Sequence, residues 1–458
     1  MNAEFLAALK NTFKPSQILT DSDSCAAYAA DNSSYHQMPI AVIFAQSHDE
    51  IQAIIAICND YHVPLTVRGG GSATTGAATP VANGIILSLE LMNKIIKIEP
   101  ANRLMIVEAG VTNQAVQQEA AKYGLFWAPD PGSAAYCTVG GNIACNAGGP
   151  RTLKYGSTRE NILGLKGIIG TGATIQTGVY TTKSAVGYDL TRLLIGSEGT
   201  LAIISEATLK LIPKPESIAT LQAIYSNIHD CADAIAKIMT QPVMPSVLEF
   251  LDEKAIQLLC QYGNFDFPKH AKALLIIEID NLKNALPIAC EKIKLAAKNS
   301  GLISIQAGLD QETIEKLWAA RRSLSPALKQ VAPKKINEDV VVPVGNIPNF
   351  MQQIELLSQE YSLQIINFGH GGNGNIHVNL MIDPNDSVQR QNAEVCLERI
   401  FNLVLQLNGS ISGEHGIGID KKRFLAKQID SVSLHLMHQI KKIFDPKNIL
   451  NPGKILPD

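Results

Sequence analysis

The sequence predicts an α+β protein of two principal domains, and three observations predict it. Its 458 residues exceed the roughly 250–300 beyond which a single hydrophobic core stops growing, so more than one domain is required. Residues 38–213 read as short β-branched runs separated by glycine turns, with two marked helices among them. Beyond Pro213 and Pro215 the glycine density drops and longer helical patterns alternate with strand-like runs, which places the domain boundary there.

The elements follow in order. Ser47 and Glu50 make an S-x-x-E capping-box pattern that opens a helix continued by Ile51, Ile54, Ile55 and Cys58 at helical spacing. A strand over Pro64–Val67 comes next. A second helix is capped by Thr112, runs to Tyr123 and stops at Gly124, where a left-handed residue suits glycine. Pro129–Pro131 then imposes an extended loop. In the second domain the runs Ala273–Ile279, Leu302–Ala307, Val340–Val344 and Ile376–Ile382 alternate with helices ending near Gly301 and Gly409, a sheet layered with helices. The last helix covers Ser433–Phe444 and is closed by Asp445 and Pro446, and the tail Asn448–Lys454 has no evident packing pattern.

Composition excludes several functions. Apolar residues make up 46% and charged residues 18%, which rules out a disordered polyampholyte. Lys plus Arg number 39 against 42 Asp plus Glu, a net charge of −3, and no run of Lys or Arg stands out, so nucleic acid is not expected as a partner. The eight cysteines form no CxxC pair, which argues against a zinc ribbon or a disulfide framework and for a reducing, cytoplasmic setting. Met1–Pro15 lacks an uninterrupted signal-peptide core, and no apolar run approaches the ~20 residues that span a bilayer. Membrane association is therefore expected to be peripheral at most.

The 34 glycines are concentrated in Gly69-Gly70-Gly71, Gly140-Gly141, Gly148-Gly149 and Gly196-Ser197-Glu198-Gly199. Glycine lets successive backbone N–H groups converge on an anion and lets main chain approach a pyrophosphate without a Cβ in the way. Taken singly, each cluster reads more readily as a turn or bulge than as an anion cradle. No GxxxxGK[ST] is present. The one clean GxGxxG, Gly369-x-Gly371-x-x-Gly374, is followed by the alternating run Ile376–Leu380 where a dinucleotide fingerprint needs a helix, so it is not a dinucleotide loop.

Order and flanking residues change that reading. Val67-Arg68-Gly69-Gly70-Gly71-Ser72, Pro131-Gly132-Ser133, Cys137-Thr138-Val139-Gly140-Gly141-Asn142-Ile143-Ala144-Cys145-Asn146-Ala147-Gly148-Gly149 and Gly187-Tyr188-Asp189-Leu190 to Gly196-Ser197-Glu198-Gly199-Thr200-Leu201 resemble the FAD-binding segments of the vanillyl-alcohol oxidase and p-cresol methylhydroxylase superfamily. Asp445-Pro446 and Asn451-Pro452-Gly453-Lys454 resemble its tail. The resemblance implies a two-subdomain FAD-binding domain over 38–213 behind an N-terminal helical segment 1–37. It further implies a substrate cap with a mainly antiparallel sheet over 214–410 and a segment 411–458 returning to the flavin. It implies cofactor contacts from Arg68, Gly69, Gly70, Gly71, Ser72, Thr75 and Gly76, from Pro131, Gly132, Ser133 and Thr138, and from Gly140, Gly141, Asn142, Ala144, Asn146 and Gly148. Glu198, Gly199, Ile203 and Asn451 complete that set. Ser72 stands where relatives with covalently attached flavin carry histidine, which implies non-covalent FAD.

The second domain carries a different chemistry. His370 and His377 flank a glycine turn, and Glu414-His415 is also bounded by glycines. Two histidines and a carboxylate supply three ligands for a divalent ion, zinc, manganese or iron, with positions open to substrate. His377 and Asn379 share a strand face. Arg321 falls on the apolar stripe Ile314, Leu317, Leu324, Leu328 and needs a carboxylate, either internal or from a substrate, whereas Arg322 points to solvent.

These segments resemble the FAD-linked D-2-hydroxyacid dehydrogenases, which include D-lactate and D-2-hydroxyglutarate dehydrogenases and the flavin subunit of glycolate oxidase. That resemblance implies His370, His377 and Glu414 as metal ligands, with zinc foremost, His415 as the base, and Arg321, Ser325, Lys335 and Asn379 as substrate contacts. Asn373 stands where the family commonly has aspartate. The implied activity is oxidation of a D-2-hydroxy acid to a 2-oxo acid, the hydride passing to FAD and an external acceptor reoxidising it. Rival readings are a metallohydrolase, which leaves the first 213 residues unexplained, and a non-catalytic flavin electron-transfer subunit.

Overall fold

The computed structural model describes residues 2–263 and 265–457. Two compact units divide the chain, one comprising Met1–Gly149, Gly156–Lys214 and Glu414–Asp458, the other Pro150–Tyr155 and Pro215–Gly413.

The first unit has two larger sheets, with a short two-stranded pair of Leu125–Phe126 and Ile212–Pro213 beside them. Its four-stranded sheet runs in the order Ile18–Leu19, Val42–Phe44, Ile85–Ser88, Leu65–Arg68, the last three strands parallel. The helix His48–Tyr61 buries Ile51, Ile54, Ile55 and Cys58, the predicted stripe. Ser47 Oγ accepts from the Glu50 N–H, but the Glu50 carboxylate accepts from the N–H of Gln46 at 2.8 Å instead of that of Ser47, so the expected capping box is only half formed. A competing donor, the Gln17 side chain at 2.8 Å, draws Glu50 toward the preceding segment. The N-terminal residues are not a separate piece: Phe5, Leu9 and Phe13 share one core with Ile54, Leu87, Ile449 and Leu450.

A five-stranded antiparallel sheet follows, ordered Ile95–Glu99, Leu104–Glu108, Ala202–Lys210, Ile162–Ile169, Thr174–Gly178. The helices Asn113–Ala121 and Val139–Cys145 contribute Val116, Ala120, Val139 and Ile143 to its core. Thr112 caps the first of these, which ends at Ala121 rather than Tyr123; Gly124 is left-handed at φ +67°. The tail, whose sequence shows no packing pattern, is held by its backbone: Leu450 bridges Leu65 in parallel, and the Asp445 carboxylate accepts from the N–H groups of Ile449 and Leu450. Irregular backbone packed by side-chain capping leaves no periodicity to read.

The second unit is a seven-stranded, fully antiparallel sheet layered with helices. Its order is Leu302–Gly308, Ser217–Tyr225, Ala273–Asn281, Val247–Asp252, Gln364–His370, Asn375–Ile382, Lys334–Val341. Val340–Val344, read as a strand from its apolar run, supplies only the end of Lys334–Val341, because burial of Glu338 and Asp339 masks the alternation. The helices Glu253–Tyr262 and Gln311–Leu328 share a core with Leu251, Leu274, Ile276 and Phe368. Gly371–Gly374 forms the turn between adjacent strands, in register from His370 opposite Asn375 to Gln364 opposite Met381. Among the described residues no helix is long and apolar enough to cross a membrane.

Candidate functional site

In the first unit the glycine clusters converge on a trough. One cavity of about 750 Å³, counting space open to solvent, is lined by Gly69, Gly70, Gly71, Ser72, Thr138, Gly140, Gly141, Ala144, Glu198 and Gly199 among others. A second of about 780 Å³ is lined by Pro131, Gly132, Ser133, Asn142, Gly148, Glu414 and His415. The two share Ser72, Ala73, Gly141 and Cys145, so they are continuous. The walls are made by missing side chains. A Cβ on Gly70 would sit 2.1 Å from the Tyr136 carbonyl oxygen, and one on Gly140 would sit 2.8 Å from the Ala109 Cβ.

An extended dinucleotide fits this trough. Its floor is backbone and small residues, and Asn142 Nδ2 is buried on its wall with no ordinary hydrogen-bond partner. The neighbouring Cys137 thiol is a weak acceptor at best. A buried amide donor left this way costs about 1–3 kcal/mol, which an acceptor-rich ligand would recover.

Some predicted cofactor residues support the trough without lining it. Arg68 donates to the Ala30 carbonyl at 2.7 Å and lies over the Tyr28 ring. Thr75 Oγ1 donates to the His415 carbonyl at 3.3 Å, and Gly76 packs against Ile419 and Tyr35. Asn146 accepts from Ser157 Oγ and the Arg159 N–H. Asn451 donates to the carbonyls of Ala77 and Glu198. The Ile203 side chain packs into the core shared with the four-stranded sheet, while its neighbours Ala202 and Ile204 line the cavity, as strand alternation requires. The small residues Ala73, Ala77, Ala78 and Ala109 carry no sequence signal and were not predicted.

Glu198 is buried in the trough wall at φ +48°. Its carboxylate accepts from the N–H groups of Ile417 at 2.7 Å and Gly418 at 2.8 Å, anchoring the loop that carries Glu414 and His415. Burial pushes its pKa up to about 7, against those two donors and Lys454.

In the second unit polar side chains gather on one face of the sheet. His377 lies opposite Asp339 and Phe368, and Asn379 opposite Asn337 and Ile366. His370 and His377 are both buried, with ring centroids 5.3 Å apart and ring nitrogens within 4.8 Å. Two imidazoles so placed fit a single ion bound at about 2.0–2.1 Å from each.

Two carboxylates that sequence reasoning missed flank the histidines. Glu249, fully buried, accepts from His370 Nδ1 on one oxygen and from Arg321 Nε at 2.6 Å on the other. Burial opposes its ionisation, yet His370 and Arg321 hold its carboxyl well below the usual carboxylate range. The Arg321 guanidinium also lies 4.7 Å over the Phe368 ring. Asp339 accepts from Asn375 Nδ2 at 2.6 Å and from the Gly413 N–H at 2.9 Å, and stands 4.0 Å from His377 Nδ1. A charged residue inside the apolar run Val247–Asp252 was the one available signal for Glu249.

The remaining predicted substrate residues divide. Asn379 is fully buried with its amide engaged, donating to the carbonyls of Ile366 and His377 and accepting from Asn337. Ser325, one turn beyond Arg321, and Lys335, on the face of Asp339, are exposed.

Known proteins match these features. A family model for the C-terminal domain of FAD linked oxidases matches residues 214–455, and one for an FAD binding domain matches residues 39–178. Among curated relatives, the glycolate oxidase subunit GlcD of Bacillus subtilis is 38% identical over 421 residues, covering 92% of this chain and 90% of its own. The Escherichia coli K12 GlcD subunit is 32% identical over 99% of this chain and 91% of its own. A D-lactate dehydrogenase of Anaerostipes hadrus is 33% identical over 91% of this chain and 89% of its own. Among solved structures, p-cresol methylhydroxylase with substrate bound superposes with a TM-score of 0.83 at 18% identity, covering 100% of this chain and 97% of its own, which establishes the fold.

Proposed function

The chain belongs to the family of FAD linked oxidases, and from that premise we propose that it oxidises a D-2-hydroxy acid of the lactate, 2-hydroxyglutarate or glycolate class to the 2-oxo acid. One observation carries the reading beyond the family: Glu249 ties the half-buried Arg321, from the helix Gln311–Leu328, to the buried His370, whose ring lies beside that of the buried His377. A hydroxy acid needs a cation for its carboxylate and ligands for an ion at its hydroxyl. The names of the curated relatives support the same substrate class.

In this reading residues 38–213 hold non-covalent FAD, 214–410 form the substrate cap and 411–458 return to the flavin. His370, His377 and Glu414 would hold a divalent ion, zinc foremost. Glu414 follows directly on Gly413, whose N–H Asp339 fixes. When bound, FAD supplies the hydride acceptor and the ion supplies a Lewis acid for the α-hydroxyl. The residues do the rest. Arg321 takes the carboxylate and fixes the orientation of the α-carbon, converting binding energy into alignment. His415 takes the hydroxyl proton on a ring nitrogen, the general-base role that an imidazole in reach of the substrate fills. Ser325 and Lys335 extend the carboxylate site. Asn379, its amide already engaged, braces the strand that carries His377 and is not assigned to substrate. An external acceptor reoxidises the flavin.

The test is an anaerobic flavin-bleaching screen of the purified protein across D- and L-hydroxy acids, with and without a chelator. Bleaching by D-acids or glycolate, slowed by chelation, is the expected result. A yellow protein bleached by none of them would overturn the activity, and bleaching untouched by the chelator would remove the ion.

A further inference from the structure

We infer that Glu249 is a positioning residue that couples ion binding to carboxylate binding, an inference that rests on the function proposed above. The sharing of its two oxygens between His370 Nδ1 and Arg321 Nε has a separate consequence at each partner.

At His370, an ionised carboxylate can only accept, so Nδ1 must carry hydrogen. In the neutral ring the lone pair then lies on Nε2, the nitrogen that would ligate an ion. A carboxylate behind a ligating histidine sets its tautomer and orientation and raises its basicity. At Arg321, the bond to Nε engages the inner nitrogen of the guanidinium. The outer pair, Nη1 and Nη2, remains as the fork that matches a carboxylate with two parallel bonds. Phe368, under the guanidinium plane at 4.7 Å, keeps that fork from rotating.

Glu249 can serve both donors because it is ionised and has two acceptor oxygens. A glutamine has one acceptor oxygen and turns an NH2 group toward the other donor. Glu249→Gln must therefore release either the tautomer of His370 or the orientation of Arg321, and exchange between the two arrangements weakens both sites.

The experiment uses the full-length FAD-loaded protein, stripped of metal and titrated with Zn²⁺ against a chromophoric chelator, alongside KM and kcat for the best hydroxy acid from the screen. For Glu249→Gln the expected result is a 10- to 100-fold loss of Zn²⁺ affinity, the usual effect of losing such a partner. KM should rise about tenfold, and FAD content and visible spectrum should not change. Arg321→Lys should raise KM while leaving Zn²⁺ affinity at the wild-type value, which locates the coupling in the glutamate. Where Glu249→Gln does not fold, Glu249→Asp keeps the charge but shortens its reach, and should weaken both readouts by a smaller factor. Wild-type Zn²⁺ affinity or wild-type KM in a folded Glu249 variant overturns the inference alone. A wild-type protein that binds no Zn²⁺ overturns the proposed ion, and this inference with it.

Discussion

The two units build their sites by opposite means. The trough of the first is made by what side chains leave out, with Gly69–Gly71, Gly140 and Gly141 letting backbone form the wall. The polar face of the second is made by what side chains bring in. Glu249, Arg321 and His370 come from three separate elements, the glutamate 72 residues from the arginine and 121 from the histidine. A site of the first kind tolerates no added atom. A site of the second kind tolerates no removed charge.

The strongest way to break the second site is Glu249→Ala. It leaves a mostly buried guanidinium and a buried imidazole without their shared acceptor, and removing one partner of a buried pair costs about 3–5 kcal/mol. Chemical denaturation should show that loss in the midpoint with little change in slope. A loss below 1 kcal/mol would mean that water or another residue replaces the carboxylate, and the cluster would not be the charge-dependent structure described.

The matching break in the first site is Gly70→Ala. Its methyl would meet the Tyr136 carbonyl oxygen, a backbone atom with no rotamer to escape through. Overpacking of this kind typically costs about 1–3 kcal/mol, and here it also displaces the trough wall. The expected outcome is a several-fold fall in FAD per chain after gel filtration, measured by flavin absorbance after denaturation. Full FAD content would show that the loop moves freely and that its glycines are not what shapes the trough.

The same contrast explains what could be read from the sequence. Glycine clusters are local, so the trough was visible in Gly69–Gly71 and Gly140–Gly141 before any coordinates. Periodicity gave the stripe Ile51, Ile54, Ile55, Cys58, and it placed Arg321 on a buried face in need of a carboxylate. Which carboxylate was not legible, because Glu249 is joined to Arg321 by sheet register and helix packing, neither of which leaves a pattern at one position. The tail was illegible for a related reason. Asn451 and Lys454 are buried by hydrogen bonds to the carbonyls of Ala77, Thr79 and Glu198 rather than by an apolar stripe.

Glu198 sharpens the comparison through pH. Unlike Glu249, it has no direct cation on its oxygens, and burial raises its pKa from 4.5 to about 7. The folded state then holds the proton more tightly than the unfolded state. Its contribution to stability is full below about pH 4.5 and is lost as pH rises to about 7, at up to about 1.4 kcal/mol per pH unit. The difference in melting temperature between wild type and Glu198→Gln should therefore shift against the wild type between pH 4.5 and 7 and be flat above. A difference independent of pH would show that the carboxylate keeps an ordinary pKa.

The smallest expected effect lies one residue from Arg321, the partner of Glu249. Arg322 pairs with Glu315 at 2.8 Å, but both side chains are more than half exposed, at 55% and 54%. Solvent screens such a pair and side-chain entropy offsets the remainder, so Arg322→Ala should change stability by less than about 0.5 kcal/mol. Arg321, adjacent in sequence, is exposed by only 18% and donates to a glutamate that is wholly buried. Arg321→Ala should cost several times more, because it strands Glu249 in a low-dielectric interior. Side-by-side denaturation of the two alanine variants contrasts a solvent-exposed Arg–Glu pair with one whose carboxylate is buried and shared with His370. Equal losses would mean that the sheet face around Glu249 is hydrated, and that its hold on His370 is no firmer than a surface contact.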